Sequence, residues 1–387
     1  MHRRALAGAA VLLVAALATL AAVTPASASR FIRSGIFDDG MVLYENPETT
    51  FPLLKSANTE TVRVNLWWGG RPVAVADSKP TTAINSADPA YRWDTYDRLV
   101  IWAKLFDIRV LFSIMGTPNW ANGGKGWNVA PTRPADLQAF ASAAAARYNG
   151  TFKRPDGTLL PKVQFWLAWN EPNNPIFLKP QFVRQGGKWV MQSPKDYARI
   201  CNAVVRGINA VPFTGSVACG ATGPRGNNQP GTIRSSISPL PFLRGMKRWG
   251  ATGFDAYAHH PYYGTKSETP RTPPPPGKRG VAPTAVTLGN FEVLVRELTR
   301  LYGNKRIWIT EYGYQTNPPD RLFGVTYARQ ALYLRQAYGY ARLHPRIDLF
   351  LWFLMRDEPK LSGWQSGLMT VTGRKKPAFN AFRTMHA

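Results

Sequence analysis

Short apolar runs alternate along this chain with longer stretches whose apolar positions recur at helical spacing. TVRVNLWW at 61–68, IRVLFSI at 108–114, SVACGA at 216–221, FDAYAHH at 254–260, RIWIT at 306–310 and DLFLWFL at 348–354 have the length and β-branched or aromatic content of strands. VQFWLAW at 163–169 opens another that is expected to run to Glu171, and a less well defined first strand falls within 31–44. Amphipathic stretches predict helices near 94–106, 135–148, 193–210, 239–249, 288–302 and 325–343, with a last one opening at Lys376. In Ser193-Pro194-Lys195-Asp196 the order is that of an N-cap, a first-turn proline and a first-turn acid. Strand-helix alternation of this kind predicts parallel βαβ units. Eight strands with helices alternating between them predict a single α/β domain over 29–387, a (β/α)8 TIM barrel. The proline-rich stretch 269–283 reads as a long rim loop rather than a domain linker.

The N-terminus changes where the chain is expected to work. His2, Arg3 and Arg4 precede an almost wholly apolar run at 5–23, and Ala26-Ser27-Ala28 is a small-x-small triplet. That pattern predicts a signal peptide over 1–28, cleaved near Ala28, and a secreted, soluble protein with no membrane association afterwards. An uncleaved anchor is the other reading of such a run. Cys201 and Cys219 are the two cysteines. Outside the cytoplasm they are free to form a disulfide, and two buried thiols are the equal alternative. Two cysteines without a His-rich cluster make no metal site, and no metal or cofactor is expected. A monomer is expected.

Lys and Arg outnumber Asp and Glu by 48 to 23. A field of that sign attracts polyanions. The cations are spread along the whole chain without a nucleic-acid-binding motif, so nucleic acid is not the expected partner. An anionic polysaccharide or an acidic cell wall is, unless the charge serves only to solvate the surface. The 13 Trp, 15 Tyr and 19 Phe exceed what a core alone calls for and suit stacking on sugar rings.

Two acids stand at strand ends: Glu171 in Trp169-Asn170-Glu171-Pro172-Asn173, and Glu311 in Thr310-Glu311-Tyr312-Gly313. Strands four and seven lie across an eight-membered ring, and both acids sit at carboxyl ends, the face where barrel enzymes keep their chemistry. Two carboxyl groups flanking a cleft are the minimum equipment for cleaving a glycosidic bond, one as proton donor and one as attacking group.

With VRVNLWW, TPNWA at 117–121, WNEPN, HPY at 260–262, TEYG and the Trp352 strand, nearly the whole chain resembles the clan A glycoside hydrolases, the retaining barrel enzymes that include families 5 and 39. The resemblance implies Glu171 as acid/base and Glu311 as nucleophile. It implies Arg63 and Tyr262 as partners of the nucleophile, Asn170 on the sugar 2-hydroxyl, His260 in the cleft and Trp352 as a sugar platform. Trp68 and Trp120 are candidate further stacking sites. His259 and His260 are strand neighbours and face opposite ways, so only one can face the barrel axis, and the match selects His260. Asp255 and Asp348, at strand starts, read as stability residues of the bottom face, and Asp357 is a remaining acid beyond strand eight. The expected function is a secreted retaining glycosidase acting on a polysaccharide or oligosaccharide; the alternative is a barrel that binds carbohydrate without turnover.

Overall fold

Eight strands pair side by side, each parallel to both neighbours, and close a ring in the computed structural model, which describes residues 32–275 and 282–385. In chain order they are β1 (Arg33–Phe37), β2 (Thr61–Trp67), β3 (Arg109–Met115), β4 (Phe165–Ala168), β5 (Ser216–Thr222), β6 (Ala256–His259), β7 (Arg306–Tyr312) and β8 (Ile347–Phe353), with β8 returning to β1. Helices intervene between successive strands, so the fold is the expected (β/α)8 barrel. The expected signal peptide and its cleavage point lie outside the described residues, as do residues 276–281 of the proline-rich loop.

Side-chain alternation builds two cores. Leu111, Leu167, Ala218, Ala256, Ala258, Trp308, Leu349 and Leu351 fill the barrel interior. Alanines on β5 and β6 leave room for the Trp308 ring, which meets Phe165 edge-on at 5.5 Å. Val62, Val64, Leu66, Ile307, Ile309, Phe350 and Trp352 face the other way, into the layer beneath the helices. At the barrel floor, Asp255 accepts from the Val217 amide at 2.8 Å and Asp348 is paired with Arg306.

Several boundaries differ from expectation. β1 stops at Phe37 because the Asp38 side chain caps a helix, Asp39–Tyr44, accepting the Met41 N–H at 3.0 Å. That cap, with Asp39-Gly40 behind it, overrides the strand-like run Met41-Val42-Leu43. Strand four ends at Ala168, three residues before Glu171. A hairpin, Phe182–Gln185 with Lys188–Met191, leaves the barrel between β4 and the helix Ser193–Asn209; Gly186 and Gly187 turn it with φ of 56° and 78°. Cys201 of that helix and Cys219 of β5 form a disulfide with a Cα–Cα distance of 5.8 Å.

Candidate active site

Glu311 reaches the cleft because β7 carries a bulge. From Ile309 to Tyr312 it takes three residue steps where β8 takes two, from Phe350 to Trp352. One extra residue breaks strict alternation, so Thr310 and Glu311 both address the site while Tyr312 packs outward on Trp352. A second irregularity in β5 sits at Ala221, φ 45°, whose carbonyl accepts the Glu171 N–H at 2.8 Å. Trp169 and Glu171 also have positive φ, 69° and 34°. Three non-glycine residues in that sparsely populated region mark backbone held by its surroundings. One restraint is Asn173, which donates to the Gly223 carbonyl at 3.1 Å and accepts its N–H at 2.8 Å.

Arg63 of β2 is the hub. Fully buried, it donates to Glu311 Oε1 at 2.7 Å, to Asn170 Oδ1 at 2.6 Å and to the Thr310 carbonyl at 3.1 Å, with its guanidinium 4.2 Å from the Phe37 ring centre. Tyr262 donates its hydroxyl to the other Glu311 oxygen at 3.0 Å. Glu311 thereby stands between a cation and a phenol, each bonded to one of its oxygens.

Glu171 is situated differently. Its carboxyl accepts from Asn174 Nδ2 at 3.2 Å and touches no Lys or Arg among the described residues, and burial pushes its pKa up to about 7 against the weaker opposing effects of Asn174 and Arg63. His260 links the two acids. Arg63 Nη1 lies 3.3 Å from His260 Nε2 and can only donate. His260 Nε2 lies 2.9 Å from Thr310 Oγ1, and Nδ1 lies 3.1 Å from Glu171 Oε1 and 3.5 Å from Glu311 Oε1. Burial drives the His260 pKa down to about 3, with Arg63 adding to the effect and Glu311 opposing it, so the ring is neutral at working pH. One oxygen of each glutamate and one His260 nitrogen lie within 4.8 Å of one another. Such a trio has the composition of a metal site, but Arg63 already supplies its positive charge and both imidazole nitrogens have partners.

The structure thus brings together Arg63, Asn170, Glu171, His260, Tyr262 and Glu311. It does not bring in the three expected tryptophans. Trp352 is fully buried, on the outer face by the alternation of Leu349, Leu351 and Phe353, and donates to the Ser366 carbonyl at 2.9 Å. Trp68 is sealed against Trp120 and Phe140, and Trp120 donates to the Ala76 carbonyl at 2.8 Å. The cleft, about 640 Å³, takes its aromatic surface instead from Phe37, Phe177, Tyr262, Tyr263, Phe353 and Trp364. Trp364 sits 5.3 Å from the Tyr262 ring and 5.4 Å from Phe353. It lies in a loop with no periodic pattern to announce it, whereas Asn174 adjoins the WNEPN motif and was within reach of sequence reading. His259 faces away, held between Thr222 Oγ1 at 2.8 Å and the Val286 carbonyl at 3.1 Å. Asp357 is tied to Lys376 at 2.7 Å.

Carboxylates framed by basic and aromatic groups at the mouth of a (β/α)8 barrel define a site for acid–base and nucleophilic chemistry. No protein-family model matches the chain, and no curated protein matches it. Solved structures are similar to it in fold. A family 39 glycoside hydrolase from Bacteroides cellulosilyticus WH2 is 18% identical with a TM-score of 0.59, the match covering 91% of this chain and 62% of that one. A glucosidase from Croceicoccus marinus is 14% identical with a TM-score of 0.61, covering 92% and 67%. A GH39 β-xylosidase from Caulobacter crescentus is 16% identical with a TM-score of 0.55, covering 93% and 72%. This chain therefore spans less than two thirds of the first of these proteins. What it shares with all three is the barrel fold.

Proposed function

We propose that this protein is a secreted retaining glycoside hydrolase that cleaves O-glycosidic bonds in a polysaccharide or oligosaccharide. The observation that carries the reading is the pair Glu171 and Glu311, facing each other across the cleft with oxygens within 4.8 Å and with opposite surroundings. That proximity supports the short carboxyl separation of retaining enzymes, about 5–5.5 Å, over the about 6.5–9.5 Å of inverting ones.

In the first step Glu311 attacks the anomeric carbon. The bond to the leaving oxygen breaks, and that oxygen takes the proton of Glu171. In the second, Glu171, now a carboxylate, takes a proton from water. The water oxygen attacks the anomeric carbon, the ester to Glu311 breaks, and both glutamates return to their starting states. His260 Nδ1, 3.1 Å from Glu171 Oε1, stands within hydrogen-bond distance of the carboxyl that exchanges the proton.

Incubation with a 2-fluoro glycoside carrying a good leaving group should add one sugar to Glu311, detectable by peptide mass spectrometry, and Glu311→Gln should abolish both labelling and turnover. Glu171→Ala should slow hydrolysis of ordinary glycosides about 10²–10⁴-fold while sparing substrates whose leaving group needs no proton. Were the wild-type protein to release no reducing ends from any glycan it binds, the non-catalytic reading would replace this one.

A further inference from the structure

Charge inside the cleft has the opposite sign to charge on the chain. Of the eight charged residues that line it among the described residues, seven are acidic and only Arg356 is basic, in a chain where Lys and Arg outnumber acids by 48 to 23. Most of these acids have partners. Glu311 is paired with Arg63, Glu45 with Arg356 at 2.8 Å, and Asp357 with Lys376 at 2.7 Å. Asp38 accepts the N–H groups of Met41, Met355 and Arg356, and Glu358 on the exposed rim accepts the Trp364 N–H at 2.6 Å. Glu171 has its place in the chemistry above.

Asp39 is left. Among the described residues no cation stands within ion-pair distance of it, and the donors bonded to it come from one neutral residue: the Asn65 N–H at 2.9 Å to Oδ1 and Asn65 Nδ2 at 2.7 Å to Oδ2. Asn65, itself 7% exposed and lining the cleft, has an Oδ1 with no hydrogen-bond partner among the described residues. Acceptors therefore outnumber donors at this end of the cleft. Asn65 follows Arg63 by two residues on the same face of β2, so the spot lies about 7 Å along the strand from the Arg63–Glu311 pair. That is within reach of a sugar bound for cleavage.

We propose that Asp39 and Asn65 form a subsite for an amino sugar, whose ammonium group pairs with the Asp39 carboxylate. An ammonium brings a positive charge and three donors, where a hydroxyl brings no charge and a single donor. A uronate meets no unpaired cation among the described lining residues, since Arg356 is taken by Glu45, so the attraction for polyanions expected from the net charge falls to the outer surface. This inference rests on the glycosidase reading for the identity of the ligand as a glycan, but its test does not need turnover.

The measurement is calorimetric titration of the Glu311→Gln protein at pH 6.5 with four probes: a β-1,4-glucosamine tetramer, its fully N-acetylated form, cellotetraose and tetragalacturonate. The glucosamine tetramer should bind at least tenfold more tightly than cellotetraose, with tetragalacturonate weakest, and Asp39→Asn should reduce that ratio to about twofold or less. Asn65→Ala is the second variant should Asp39→Asn not fold. Equal affinity for the amino and neutral tetramers, tighter binding of the uronate, or no binding of any probe overturns the proposal. Hydrolysis of neutral glycans without amine preference sinks this inference alone; amine preference without hydrolysis of any glycan sinks the glycosidase reading and leaves the subsite standing.

Discussion

At Glu171, burial does two things. It keeps the carboxyl protonated close to neutral pH, and it makes ionisation costly to the fold. The proton donor is lost as pH rises, so kcat/KM should fall above about pH 7. The group titrates at 4.5 when unfolded and near 7 when folded. Its contribution to stability is therefore full below pH 4.5 and is lost as pH rises through about 7. A difference of that size is about 3 kcal/mol. Denaturant unfolding should accordingly find Glu171→Gln more stable than wild type at pH 8 and equal to it at pH 4; equal stability at both would show that the carboxyl is not desolvated. Gly223 has a related role. A Cβ placed there would stand 3.0 Å from Glu171 Cδ and 3.1 Å from both its oxygens. Gly223→Ala should displace the carboxyl and cut kcat more than KM, while the thermal midpoint moves little. Arg63→Met removes the partner of a buried Glu311 and should cost about 3–5 kcal/mol in unfolding free energy, together with turnover. Arg63→Lys should not rescue it, since one ammonium cannot meet Glu311, Asn170 and the Thr310 carbonyl in the same geometry.

Elements were legible where periodicity was strong. β2, β3, β5 and β8, and the helices Asp94–Leu105 and Ser193–Asn209, fall within a residue or two of the apolar runs that announce them. Departures from periodicity were not legible, and the site depends on them. Strict alternation on β7 would bring Thr310 and Glu311 to opposite faces; the bulge between Ile309 and Tyr312 turns both toward the cleft. Strict alternation on β8 would have shown that Trp352 shares the outward face with Phe350, but the resemblance overrode it. The pairing of Cys201 with Cys219 was left open by the sequence and depends on the helix Ser193–Asn209 crossing β5. Closing a loop of 18 residues in sequence is worth about 3 kcal/mol through the unfolded state. Replacing both cysteines by alanine should lower the unfolding free energy by that amount, and reduction of the wild type should match it; a double variant as stable as the oxidised protein would show that the cross-link is redundant with the packing around it.

Across the whole molecule, a basic surface surrounds an acid-lined cleft. Surface attraction is screened over about 8–10 Å at ordinary ionic strength. Retention of the protein on a polyanionic matrix should therefore weaken steeply between low and high salt, while hydrolysis of an uncharged oligosaccharide stays nearly constant. A parallel loss of both would place basic side chains in substrate binding. Alternating apolar runs were enough to determine a ring of eight parallel strands, because each strand and helix can bury its apolar face in few other ways. They also determined that Glu171 and Glu311 stand at carboxyl ends on opposite sides of that ring. Only the tertiary structure decided what surrounds each acid: Arg63 and Tyr262 at one, desolvation and His260 at the other, Asp39 and Asn65 farther along the wall. Local periodicity sets which face a side chain takes. The pKa of a carboxyl and the partners it meets are set by residues dozens to hundreds of positions away, which come into contact only when the barrel closes.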